Sequence, residues 1–180
     1  MKFEELLEIT GAVTGKADEA TLANYRLPGG LSFPPSYRQF CLELGHGLLC
    51  GLFMIYMPMA DEQHPDAFQL QYPAMRSLFD TYLDPPLLAI SDTPGGIGLI
   101  QNGVPFATSE NGEFLFWDIR ERLPDGEFPI YFTGFDLGIV HAGNSLFEFL
   151  ALVTRSETFK SVLPFYTRPL EAVFRVREIG

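Results

Sequence analysis

The stretch that most constrains this chain is residues 104–118, VPFATSENGEFLFWD. It reads as two strands joined by a tight turn at Glu110-Asn111-Gly112, because Asn and Gly tolerate the positive φ values that a two-residue hairpin turn requires. The second arm, Phe114-Leu115-Phe116-Trp117, is apolar throughout and holds the only tryptophan. An unbroken apolar strand belongs in a sheet with both faces covered. The chain before it must build one side of that sheet, and the chain after it must close it.

Read from the start, residues 3–9 fit a short helix stopped at Thr10-Gly11. Residues 18–25 fit a second helix with an acidic start, which suits the positive end of a helix dipole. Residues 34–44 form the clearest helix. Prolines stand where a helix can begin. Tyr37, Phe40, Cys41 and Leu44 fall at i, i+3, i+4 and i+7, one buried face. Gly45 is a natural left-handed stop. Residues 52–57 have the length and apolarity of a strand, and residues 60–73 read as a polar surface loop with room for one helical turn. Met75, Leu78, Phe79 and Tyr82 restore helical spacing, ended by Asp84-Pro85-Pro86. Residues 87–91 and 97–101 read as strands, with Thr93-Pro94-Gly95-Gly96 and Asn102-Gly103 as turns. Pro105 cannot donate a ladder bond, which places its strand at an edge or makes the strand start there. Residues 121–129 form a charged loop and residues 130–133 a last strand. Ser145 followed by Glu148 is a capping box opening a helix whose buried face is Leu146, Phe149, Leu150 and Val153. Residues 170–176 fit a strand or a helix. Helices, then an antiparallel meander, then a helix is an α+β order and not an alternating βαβ one.

With 180 residues, 47% hydrophobic and 19% charged, the chain suits one globular domain over residues 1–180. The net charge of −11 repels nucleic acid and anionic membrane surfaces and attracts a basic protein. The competing reading is that acidity only keeps the protein soluble. Two cysteines imply no disulfide framework. The acidic, non-apolar N-terminus fits neither a signal peptide nor a membrane span, which makes the expected location cytoplasmic.

Catalytic chemistry is poorly represented. Cys41 and His46 invite a Cys-His hydrolase reading, but Cys41 lies on the apolar face of its helix, where a structural thiol is the stronger reading. Cys41, His46 and Cys50 lack the two close ligand pairs usual for zinc, so no metal is expected. The glycine-rich segment at residues 93–98 has no lysine nearby and no strand-to-helix context, so no phosphate cofactor is expected. Glu110 and Glu113 flank the hairpin turn on what should be its solvent side.

Three motifs, in this order, resemble the SUKH superfamily and its Smi/Knr-type domain. Phe33-Pro34-Pro35-Ser36-Tyr37-Arg38-Gln39-Phe40 is similar to the family's Leu-Pro-x-x-Tyr/Phe-x-x-Phe helix, and Gly45-His46-Gly47 stands at its Asn-Gly-Gly corner, without the Asn. Asn111-Gly112-Glu113-Phe114-Leu115-Phe116-Trp117-Asp118 resembles its strand ending in Trp-Asp. Ser145-Leu146-Phe147-Glu148-Phe149-Leu150 resembles its closing helix. The resemblance spans residues 32 to 154. It implies an α+β fold, a mixed or antiparallel sheet flanked by helices, and a non-enzymatic role. Bacterial members of the family are commonly immunity proteins that neutralise a toxin, often a nuclease; others are regulatory scaffolds. The expected partner is therefore a basic toxin, or alternatively a host protein bound by a scaffold domain. The expected contacts are exposed acids, Asp61, Glu62 and Asp66 in one loop and Glu110, Glu113, Glu121 and Asp125 around the hairpin. Asp118 is expected to pin the turn after Trp117.

Overall fold

The computed structural model describes residues 1 to 180. In chain order the elements are β1 (Glu8–Thr10), α1 (Glu19–Asn24), α2 (Pro35–Glu43), β2 (Gly47–Leu49), β3 (Phe53–Ile55), α3 (Phe68–Thr81), α4 (Leu88–Asp92) and α5 (Gly96–Asn102). There follow β4 (Gly103–Ser109), β5 (Phe114–Asp118), β6 (Ile130–Thr133), β7 (Ile139–Gly143), α6 (Leu146–Thr154) and β8 (Val173–Val176). The eight strands form one mixed sheet in the order β1-β8-β2-β3-β4-β5-β6-β7, in which only β1 and β8 pair in parallel. The fold is α+β. No helix is long and apolar enough to cross a membrane.

The central arm behaves as its composition requires. All five residues of β5 are buried, and alternate side chains face opposite helical layers. Phe114 and Phe116 pack edge-on against Phe79 of α3. Trp117 turns the other way, meeting Tyr37 of α2 at 5.0 Å and stacking on Phe106 at 4.1 Å. On that same face Phe149 of α6 reaches Phe53 of β3. The buried faces of α2 (Tyr37, Phe40, Cys41, then Leu44) and α6 (Leu146, Phe149, Leu150, Val153) are the ones their spacing predicts.

Several expectations are corrected. Residues 3–9 are a 3₁₀ turn, Phe3–Glu5, followed by β1 and not one helix. The segments expected as strands at residues 87–91 and 97–101 are the short helices α4 and α5. Apolar runs this short carry no decisive period, and the glycines between them serve a close crossing. A Cβ on Gly96 would lie 2.2 Å from the carbonyl oxygen of Ile90. The polar loop ends sooner than expected, since α3 starts at Phe68 and contains Pro73. The hairpin turn is a three-residue one, with only Gly112 at positive φ (+76°). The strand with Pro105 is neither an edge nor a beginning. It lies between β3 and β5, and a bulge between Pro105 and Ala107 absorbs the missing donor and sends Phe106 onto Trp117. Residues 130–133 are not the last strand, because β7 and β8 follow.

Candidate functional site

The ladder decides which loops can act together. Ile55 of β3 is level with Ala107, and Asp118 of β5 with Gly103. The loops that leave β3 and β5 therefore emerge at one end of the sheet, and the 110–112 turn lies at the other. Asp61, Glu62, Asp66, Glu121 and Asp125 share the first end, whereas Glu110 and Glu113 stand at the opposite end. The seven acids do not form one surface.

Burial divides them further. Asp61, Glu62, Glu110, Glu121 and Asp125 are exposed. Glu113 is not a solvated turn residue, as expected from the sequence, but is only 5% exposed. Its Oε2 accepts from Ser109 Oγ at 2.8 Å and from Tyr166 Oη at 2.6 Å. Tyr166 lies in the segment after α6, and so this carboxylate clasps that segment to the hairpin. Burial and the Glu113 hydrogen bond both push the Tyr166 phenol up. Asp66 is partly covered, and its Oδ2 meets His46 Nε2 at 2.9 Å.

His46, 3% exposed, ties together several segments. Its Nδ1 faces the Arg177 carbonyl at 3.1 Å, its backbone N–H donates to Gly15, and its backbone carbonyl accepts from Arg177 N–H. With Nε2 on Asp66, neither ring nitrogen is left for a thiol. Cys41 lies against Tyr37 in the core, and burial pushes its thiol far up; burial pushes Cys50 up to about 12. A thiolate nucleophile needs the opposite environment. Cys41, His46 and Cys50 do not come together as a metal-ligating group.

The 58–67 loop is held at both ends. Phe68 N–H donates to the Met57 carbonyl, and the Gln69 side-chain amide both accepts from Met59 N–H and donates to Met59 carbonyl. Inside the loop, Gln63 N–H donates to Asp61 Oδ1 and Asp66 N–H to His64 Nδ1. His64 in its neutral form therefore carries its proton on Nε2. A short, self-packed loop with close ends is an Ω-loop, a common carrier of function. Beside it, a cleft of about 260 Å³ opens between the loop, residues 16–18 and Ile179.

The second loop, residues 119–129, is anchored by two carboxylates. Asp118, 6% exposed, grips Arg120 through Nε and Nη2, both at 2.8 Å, and accepts from Arg120 N–H. Burial acts to raise its carboxyl, and the Arg120 hydrogen bonds and charge outweigh this and hold it below the usual range. Glu127 is also 6% exposed and accepts from Ser36 N–H at 2.7 Å and Ser36 Oγ at 2.9 Å, which caps α2 from outside. Asp118 as a pin is legible in the Trp-Asp-x-Arg sequence. His46 and Glu127 carry no such local signal, since their partners lie 20 to 131 and 91 residues away, and for Glu113 only Ser109 is local while Tyr166 lies 53 residues away.

Asp61, Glu62, Glu121 and Asp125 enter none of the chain's ion pairs. This end of the sheet thus presents exposed carboxylates outside any ion pair on two braced loops. No protein-family model, curated protein or solved structure matches the chain.

Proposed function

We propose that this chain is a non-enzymatic protein-binding domain of the immunity type, which neutralises a basic bacterial toxin by direct contact. A nuclease suits the reading best, because a groove built for phosphates attracts carboxylates. The observation that carries it is the exposed, unpaired set of Asp61, Glu62, Glu121 and Asp125 on two anchored loops at one end of the sheet. Loops already ordered lose little entropy on association. The similarity of the three core motifs to SUKH domains supports the same role. Burial leaves Glu113 outside the proposed contact set, Asp66 stays partly exposed at the same end while meeting His46, and Glu110 belongs to the far end.

The test is capture of the toxin domain encoded beside this gene, at low and moderate salt, with toxin activity as readout. Reversing Asp61 and Glu62 to Lys, together with Glu121 and Asp125, is expected to lower the association rate about tenfold or more at low salt. Above roughly 0.1 M salt the difference shrinks, because the screening length falls to about 10 Å. An association rate indifferent to all four reversals removes the electrostatic role. Absence of capture removes the immunity role.

A further inference from the structure

We propose that the cleft beside the 58–67 loop is the anchor pocket of the binding face, and that it receives one arginine side chain from the partner. This rests on the binding role proposed above. Its inner wall is apolar and pliant, built from Met57 and Met59 with Ala17 and Ile179 beside them. Methionine surfaces adapt to an incoming side chain. At the rim stand Asp18 and Asp61. Each is fixed through one oxygen only. Asp18 Oδ2 caps α1, accepting from Thr21 N–H at 2.9 Å and Thr21 Oγ1 at 3.1 Å. Asp61 Oδ1 accepts from Gln63 N–H at 3.0 Å. Asp18 Oδ1 and Asp61 Oδ2 take no protein donor.

Size and chemistry narrow the occupant. At about 260 Å³ the cleft lies below the common range of roughly 300–1,000 Å³ for small-molecule sites. One long side chain fits that scale. A guanidinium suits it better than an ammonium, because its flat, weakly hydrated fork can serve two carboxylates while its stem lies along the methionines. Arginine is also enriched among the residues that dominate interfaces. A second depression adjoins the first across Met59 and Ala60 and offers Tyr25 and Glu62, so the concave surface continues as an interface would. Lys16 stands at the rim without a carboxylate partner, and His64 presents only an N–H. Both disfavour a cation locally, and Lys16 supplies a control of opposite sign.

The test uses methyl-labelled methionine in the intact protein and two probes, N-acetyl-arginine methylamide and its neutral isostere N-acetyl-citrulline methylamide, at low salt. Met57 and Met59 report on the cleft, and Met54 and Met75, which do not line it, serve as references. The arginine probe is expected to shift Met57 and Met59 saturably and to bind about tenfold tighter than the citrulline probe. Asp18→Asn and Asp61→Asn are expected to abolish that preference while keeping their cap and turn, roles Asn fills as well as Asp. Lys16→Ala is expected to tighten arginine binding severalfold. Equal binding of the two probes, silence at both methionines, or weaker binding in Lys16→Ala overturns the proposal, the last by marking a site for an anion or zwitterion. Toxin capture with silent methionines removes the cleft and keeps the binding role. Arginine bound there without toxin capture keeps the cation site and removes the immunity role.

Discussion

Glu127 and Asp118 hold the two ends of one loop, and their surroundings drive their protons in opposite directions. Burial pushes the Glu127 carboxyl up, and the two Ser36 hydrogen bonds offset only part of it. A raised native pKa means that the folded state favours the protonated acid. Its contribution is fully present below the unfolded carboxylate pKa and declines as pH rises through the native one. Asp118 is depressed, so its contribution is present above the unfolded pKa and is lost as pH falls through the native one. Urea unfolding at about pH 4 and about pH 7 tests both signs. Glu127→Gln should gain stability relative to the parent as pH rises. Asp118→Asn should cost about 1–2 kcal/mol at neutral pH, the half-exposed Arg120 limiting the pair's worth, and progressively less in acid. The turn around Asp118 is legible because donor and acceptor are two residues apart. Glu113 is misread because its cover, Tyr166, comes from a distant segment. Burial of an acid depends on which chain arrives over it, and nothing in the residues beside it records that.

At the scale of elements, α2, α6 and the central hairpin are legible because period, caps and apolar faces agree there. The short helices α4 and α5 are not, since segments of five and seven residues fit either period. Glycine is equally ambiguous without its neighbours. Gly45 and Gly112 both have positive φ, +70° and +76°. A Cβ on Gly45 would lie 2.1 Å from the Gly15 carbonyl oxygen, whereas nothing lies within 4 Å of one on Gly112. Gly45→Ala should therefore destabilise by more than about 2 kcal/mol, combining left-handed strain with a backbone clash. Gly112→Asn should cost less than about 1 kcal/mol, since Asn tolerates that conformation. Thermal or urea unfolding of the two variants separates a corner packed against another segment from a free turn.

For the molecule as a whole, both thiols report on the integrity of the fold. Cys41 and Cys50 are buried with their thiols pushed up, so alkylation should be slow at neutral pH and should accelerate with denaturant in step with global unfolding. Fast labelling of either thiol in the native protein would mark a local opening of α2 or the β2–β3 turn. The topology carries a further consequence. Strand β1 has β8 as its only neighbour, and β8, more than 160 residues later in the chain, separates it from β2. As the chain leaves the ribosome, the meander from β2 to β7 can assemble while β1 has nothing to pair with and β2 keeps an open side. Strand β1 waits for β8, and until β8 emerges an unpaired strand edge is available to any other chain, which makes that interval the one in which chaperones have most to protect.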